Sequence, residues 1–453
     1  MKIAIIGSGT SAIGFIEKMY ESNIKDVRID VFEQGENPFL RKPVGKGSIY
    51  GFGGAGTFSD GKLSISPEIG GEISKYLGVE VYRKYVKDAL NLWTLNGKID
   101  NIEKSAQLSD PRISKIADEF FKNNLSVVLS EFVHIGTDNL QKIIKELYKK
   151  YSEDEFHRFN FYFNKTVVDL QKEDGKIKLL FENEESTELY DKVIIATGRG
   201  GSRFIDYLLK KWRIPFTGTK VDLGVRYEVS HRVTKDITDV LYEFKVKYLS
   251  RTDDEVRTFC VNPQGFVSKE TGNDFITVNG HSYVNRKSEN TNFAILVTHS
   301  FTKPFDDPTT YGLSVIKLAN KLAGEKGIII QRYKDFTIGR RSTDSRISKS
   351  YITPTLDATP GDLNLVLPRR TATAIEEFIE ALNTVIPGIN NPGNFLYGVE
   401  AKFYSLKPNF EKPFKLPEVE IYVIGDASGY TRGIMQSTMS GMYVADEILK
   451  RGG

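Results

Sequence analysis

The chain has 453 residues and a mass of 51.1 kDa, enough for two or three domains. Its 62 Lys and Arg against 59 Asp and Glu leave a formal charge of +3, too balanced to argue for nucleic acid or an anionic membrane as the main partner. A hydrophobic share of 40% excludes a disordered or coiled-coil architecture, and a single cysteine, Cys260, excludes an internal disulfide, a Cys-rich zinc site and a self-ligated iron–sulfur cluster.

The first predicted element is a buried strand over Lys2–Ile6. Its apolar run is too short for a signal peptide, and no stretch reaches the ~18 apolar residues of a membrane span. A cytoplasmic protein with no membrane span is therefore expected. A tight turn and a helix start follow, with Gly7, Gly9 and Ala12 in the pattern G-x-G-x-x-A. Gly7 permits the turn, Gly9 lets a pyrophosphate approach the backbone, and Ala12 lets the helix pack on the strand. The intervening Thr10 and Ser11 join the candidate pyrophosphate cradle. A second strand, Val27–Phe32, ends in Glu33, where a carboxylate is expected to accept ribose hydroxyls. That acid disfavours a 2′-phosphate and leaves NAD and FAD open. Arg41 and Lys42 are either pyrophosphate ligands or a solvated pair.

Residues 51–63, with five glycines, form a packed loop rather than a slack one, because Phe52, Phe58 and Leu63 interleave with the glycines. Gly53, Gly54, Gly56 and Thr57 are candidate flavin neighbours. Ser59 and Lys62 are candidate donors to the flavin or a bound anion, oriented by Asp60. Residues 80–155 read mainly as helices: Tyr82–Leu95, Ile113–Lys122 and Asp138–Tyr151. Asp174-Gly175 then marks a β-hairpin between Lys165–Lys172 and Lys176–Phe181, with the backbone of Val167 expected near the adenine. A buried strand from Tyr190 ends in Ala196-Thr197-Gly198, which places Thr197 and Gly198 beside the dinucleotide.

Residues 205–400 alternate strands (Lys220–Glu228, Tyr242–Leu249, Phe275–Val278, Asn292–His299) with two helices, Tyr311–Gly324 and Thr371–Val385. The five histidines are scattered, so no metal site is expected. Arg340, Arg341 and Arg346 form a basic cluster that is either a solvated loop or a docking point for an anionic substrate. Near the C-terminus, the strand Glu418–Ile424 ends in Gly425-Asp426, and a helical pattern runs from Ile434 to Leu449. This return favours FAD over NAD: Asp426 would meet the ribityl region, and the N–H groups of Gly433, Ile434 and Met435 would face the flavin pyrimidine edge.

The segment Gly51–Leu63, with His134–Asp138, Gly224–Glu228, Arg257–Val267 and the Gly425–Gly441 return, resembles the signatures of a largely uncharacterised group of FAD-dependent dehydrogenases. These are glutathione-reductase-like flavoproteins related to the geranylgeranyl reductases. The resemblance spans nearly the whole chain and implies noncovalent FAD and a redox role, without naming a substrate. The chain departs from the group at Pro263-Gln264-Gly265, where Pro-Gly-Gly is usual, and near Lys402, where an Arg is usual.

The expected fold is α/β: a Rossmann-like FAD-binding domain over 1–204, with a helical insertion at about 80–155. An α+β substrate or cap domain spans 205–400, and the FAD-binding domain returns over 401–453. The expected function is that of an FAD-dependent oxidoreductase, a dehydrogenase or reductase, with a small organic substrate entering at a flavin between the domains. An FAD-dependent monooxygenase and a non-catalytic flavin sensor are the alternatives. No second dinucleotide motif is evident, so electrons would come from transiently bound NAD(P)H or a protein donor. The catalytic residues stay open. Cys260 and Lys62 are the candidates, and Cys260 reads more readily as a small buried hydrophobe.

Overall fold

The computed structural model describes all residues except 43–46, 48, 60, 68, 100–102, 105–109, 130, 183–184, 219, 242, 272–274, 283–285, 306 and 452–453. The chain divides into two compact units. The first comprises 1–105, 130–218 and 405–453, and the second 106–129 and 219–404. This differs from the sequence expectation at the C-terminal boundary, where 401–404 fall in the second unit, and at two helices. The helix Ser202–Lys211 belongs to the first unit, and the helix Pro111–Lys122 within the expected insertion belongs to the second. The latter follows its neighbour Ser126–Val127, which pairs with Val246 and Lys247.

In the first unit, five strands form a parallel sheet in the order Ile421–Val423, Lys192–Ile195, Lys2–Ile6, Arg28–Glu33, Phe159–Phe163. Such a sheet is covered on both faces, so its strands are continuously apolar rather than alternating. Ile3 and Ile5 pack towards the helix Thr10–Glu21, while Ala4 and Ile6 pack towards the hairpin Val167–Glu173 and Lys176–Phe181. That hairpin turns at Asp174 (φ 48°) and Gly175 (φ 77°), as its sequence predicts. The helix Thr137–Ser152 buries Leu140, Ile143, Ile144, Leu147 and Tyr151 at helical spacing, with Asp138 in its first turn and Lys149 and Lys150 in its last.

The helix Thr10–Glu21 crosses the helix Gly433–Arg451 at very close range. A β-carbon built on Gly14 would lie 2.2 Å from the Thr438 carbonyl oxygen, and one on Gly441 would lie 1.9 Å from that of Ser11. Only hydrogen fits at either position, so this crossing locks the two helix starts side by side. Trp93, fully buried, braces it by donating to Thr438 Oγ1 at 2.9 Å.

The second unit is built on an eight-stranded sheet whose four central strands are Phe395–Phe403, Lys220–Ser230, Asn290–Ser300 and Glu255–Asn262, in that order and antiparallel. Its apolar face packs on the helices His231–Leu241, Pro308–Ala323 and Arg369–Asn383. Asp307 caps the second of these by accepting from Thr310 N, with Pro308 at the first helical position.

The opposite face carries charge. Glu228 there is fully buried, accepting from Thr355 Oγ1 at 2.5 Å and Tyr397 Oη at 2.6 Å. Burial pushes its carboxyl above the usual range, against the pull of those donors. The folded state therefore holds this proton more tightly than the unfolded chain. Its contribution is complete below the ordinary carboxylate range and is lost as pH rises through the raised value. Glu228→Gln should flatten the decline in thermal midpoint as pH rises above the ordinary carboxylate range and stand about 2–4 °C above the parent at the alkaline end, the effect of ~1 kcal/mol in a domain of this size. Differential scanning fluorimetry across pH reads this directly, and parallel profiles would assign the slope to other groups.

Candidate functional site

The N-terminal glycine turn forms because the chain must leave the centre of the sheet and enter a helix within three residues. Gly7 has φ 92° and donates to the Phe32 carbonyl at 2.8 Å, and a β-carbon there would lie 2.6 Å from the Ala196 oxygen. The fold itself requires glycine at this position. Gly9 is different. Its φ of −74° and ψ of −172° suit any residue, and a β-carbon would meet only Gly54 Cα at 3.8 Å. No described atom of the chain explains why this residue lacks a side chain.

Three segments meet at that point. Gly53 N donates to the Ser8 carbonyl at 2.8 Å, placing the short helix Gly54–Phe58 against the turn. A β-carbon on Gly56 would lie 3.3 Å from Thr10 Cγ2 and 3.5 Å from Ile434 Cγ1. A β-carbon on Gly425 (φ 68°) would lie 2.5 Å from Ser11 Oγ. Two helix N-termini, at Thr10 and Gly433, thus open beside one glycine-rich segment, and the first-turn N–H groups of a helix have no intrahelical acceptor. Gly433 is exposed with φ 72°, Ile434 and Met435 are buried, and Ala12 is fully buried in the helix crossing. At the end of the Lys192–Ile195 strand, Thr197 Oγ1 is buried without a hydrogen-bond partner, next to Gly198 (φ 58°).

Asp426 lies at the start of the short helix Gly425–Ser428. Its Oδ1 accepts from Ser437 Oγ at 2.8 Å, and the largely exposed Arg199 places Nε 3.4 Å from Oδ2. Burial raises the Asp426 carboxyl above its usual range, against the pull of Arg199 and Ser437. Val167, the first residue of the hairpin, is turned into the core and is 8% exposed.

Other expected contacts turn inward. Glu33, at the ribose position, is 5% exposed. Its Oε2 accepts from Ser8 N (2.9 Å) and Ser8 Oγ (2.8 Å), and its Oε1 from Gly35 N (2.8 Å) and Gly51 N (3.0 Å). These four donors fill the acceptor capacity of a carboxylate. Glu33 therefore ties the glycine-rich segment to the N-terminal turn in place of waiting open for a ribose. Arg41 is likewise buried, donating to the carbonyls of Gly47 (2.7 Å) and Phe52 (3.0 Å) and to Thr57 Oγ1 (2.6 Å). Desolvation lowers its pKa to about 10. It closes the loop from within, and the hydroxyl of Thr57 is used in the same knot. Ser59 Oγ donates to the Gly56 carbonyl, and Lys62 Nζ lies 4.9 Å from the Phe132 ring. Asp60 lies outside the described residues.

Cys260 belongs to the second unit and is partly exposed, at a bulge with φ 50°. Its carbonyl accepts from Arg226 Nη2 at 2.6 Å and Asn262 Nδ2 at 2.9 Å. The basic cluster closes on itself: Arg340 pairs with the fully buried Asp335, and Arg346 donates to the Arg341 carbonyl. Sequence reasoning passed over the charged sheet face of this unit, although the alternation Asp222, Arg226, Glu228 signalled it. Among the described residues no cluster of His, Cys, Asp and Glu could hold a metal ion, and no helix is long and apolar enough to cross a membrane.

Comparison with known proteins adds a domain match. Residues 223–403 match the family model described as FAD-dependent protein, C-terminal domain-like. The cofactor given by this match is FAD. An uncharacterized protein of Clostridium beijerinckii is 24% identical, the alignment covering 96% of this chain and 87% of that protein. Among solved structures, glycine oxidase from Geobacillus kaustophilus is 11% identical with a TM-score of 0.39, covering 99% of this chain and 94% of that one. A geranylgeranyl bacteriochlorophyll reductase-like protein from Thermoplasma acidophilum is 12% identical with a TM-score of 0.40, covering 100% and 79%.

Proposed function

We propose that the chain is an FAD-dependent oxidoreductase acting on a small organic substrate, with FAD held noncovalently in the first unit. The observation that carries this reading is Gly9, an unstrained glycine whose missing side chain no neighbouring residue requires. In the proposal the pyrophosphate lies against Gly9 and the N–H groups at Thr10 and Ser11. Asp426 accepts from the ribityl chain, and Thr197 supplies its unpaired hydroxyl. Glu33 and Arg41 act one step back, holding the 51–57 segment against the turn. When bound, the flavin supplies the two-electron chemistry. The chain's part is to bind, to orient and to set the local potential.

Anaerobic mixing of the purified protein with NADH, NADPH and a panel of organic donors tests the assignment. Bleaching of the flavin followed by turnover with an acceptor supports a dehydrogenase or reductase. Hydroxylated product under oxygen would make it a monooxygenase, and a flavin that no donor reduces would make it a binding protein.

The helix Gly433–Arg451 enters this reading as a source of positive potential at its N-terminus. Proline is tolerated in a first helical turn but removes one N–H. Ile434→Pro should therefore lower the flavin midpoint potential by on the order of 10–20 mV, equivalent to ~0.5–1 kcal/mol for a two-electron couple. A potentiometric titration that finds the potential unchanged or raised would remove this helix from the flavin's surroundings.

A further inference from the structure

Along the strand Lys220–Ser230, side chains alternate between two environments. Val221, Leu223, Val225, Tyr227 and Val229 join the apolar core, leaving Asp222, Gly224, Arg226 and Glu228 for the other face. Neighbouring strands add Glu400 and Lys402 on one side, and Thr298, Asn292, Arg257 and Phe259 on the other. The register sets Gly224 between Glu400 and Leu296, and Ala294 between Arg226 and Phe259. The small, buried Gly224 and Ala294 thus lie among long charged side chains, and the strand Ile276–His281 covers the Arg226 end of the face, where a β-carbon on Gly280 would lie 2.1 Å from Arg226 Nη2.

The acids of this face are engaged. Asp222 is fully buried and accepts from Arg257 Nη2 (2.5 Å), Thr298 Oγ1 (2.8 Å) and Tyr404 Oη. Glu400 lies between Arg226 Nη1 at 3.5 Å and Lys402 Nζ at 3.3 Å. Glu228 is taken by Thr355 and Tyr397.

The donors are not all engaged. Lys402 pairs with Glu400 without making a hydrogen bond, since Glu400 Oε1 has no hydrogen-bond partner. Arg257 uses Nη2 for both of its hydrogen bonds, to Asp222 and to Tyr404 Oη (3.2 Å), which leaves Nε and Nη1 unused among the described residues. Asn292, fully buried, accepts from Arg226 Nε through Oδ1 at 2.8 Å, while its Nδ2 donates to nothing. The Phe259 ring, half-buried, has the Arg257 guanidinium 5.1 Å and the Lys402 ammonium 5.7 Å from its centre. Lys402 and Arg257 each keep 17% of the side chain exposed, and cations held at the edge of an aromatic ring suit an anion attached to an apolar body.

We propose that this face of the second unit binds the carboxylate of a planar organic acid, with Lys402 and Arg257 holding the carboxylate and Phe259 packing against the body of the molecule. This rests on the reading of the chain as an oxidoreductase of organic substrates and names an organic acid as the class. The test is calorimetric titration of the yellow holoprotein with benzoate, cinnamate and indole-3-acetate, each beside its primary amide. At least one acid should bind about 10-fold or more tightly than its amide, a difference of ~1.4 kcal/mol. Lys402→Met should abolish that preference without weakening the amide, and Lys402→Arg should restore it. Arg257→Lys, which keeps a cation beside Asp222, should weaken the acid in the same way and decides the matter if Lys402→Met does not fold. Acids that bind no better than their amides, or variants that bind them unchanged, would overturn the proposal. Flavin content is read on each preparation: a yellow protein without acid preference fails this proposal alone, and a colourless protein that keeps the preference fails only the cofactor reading.

Discussion

Gly9→Val should give a colourless protein that still folds. The fold does not need glycine at this position, because the backbone is in an ordinary extended conformation and the nearest atom to a built β-carbon is Gly54 Cα at 3.8 Å. The substitution therefore acts on whatever lies against the turn. A branched side chain there excludes a pyrophosphate by van der Waals overlap, and an affinity loss of ~1,000-fold or more, about 4 kcal/mol, is expected. Gly9→Ala isolates the effect: its single methyl fits the apoprotein, whose thermal midpoint should not move, yet FAD retention should fall ~10-fold or more. Gly7→Ala is the contrast, since φ 92° and the Ala196 carbonyl at 2.6 Å make it a folding defect. Flavin absorbance of the purified proteins, read against their melting curves, separates the two. A Gly9→Val protein that stays yellow would remove the pyrophosphate from this turn.

Asp426→Ala should lower FAD affinity by about 1–3 kcal/mol, the loss of one or two hydrogen bonds to a buried acid. The apoprotein should melt at the same temperature or higher. A carboxylate that burial has shifted towards its protonated form, with one 2.8 Å donor and an exposed arginine at 3.4 Å, stabilises the empty fold little. Titration of the apoprotein with FAD, followed by flavin fluorescence, measures the first quantity, and calorimetry of the apoprotein the second. If the variant unfolds while its FAD affinity is intact, Asp426 is a structural cap on the short helix Gly425–Ser428.

The elements that position this site were legible because their signals are local. The glycine turn follows from Gly7, Gly9 and Ala12. The final helix follows from the apolar spacing of Ile434, Met435, Met439 and Met442, and it starts one residue before the expected Ile434. What Glu33 meets was not legible. Spacing fixes where the strand ends, but the N–H groups that fill its carboxylate come from Gly35 and Gly51, and only the path of the loop returns Gly51 to it. Arg41 was misplaced for the same reason. In the second unit, the alternation of Asp222, Arg226 and Glu228 was readable. Their partners were not, because Arg226 meets Glu400 across 174 residues of sequence. Residues 106–129 were assigned to the wrong unit, since a two-residue ladder to Val246 and Lys247 leaves almost no periodic trace.

The Gly14–Gly441 crossing has a consequence for how the protein comes into being. At roughly 5–20 residues per second, a ribosome makes the two halves of that contact some 20–90 s apart. Throughout that interval the nascent Thr10–Glu21 helix lacks the partner that covers Phe15 and Ile16. The second unit has all its residues by Tyr404 and can close while the first still waits. The dinucleotide site proposed above, drawn from both the turn at Gly9 and the helix at Gly433, would therefore not exist on the growing chain. On that reading cofactor loading follows the synthesis of the helix Gly433–Arg451, and a chain that ends between the first unit's other segments and residue 433 leaves the apolar face of Thr10–Glu21 uncovered for chaperones and proteases to find.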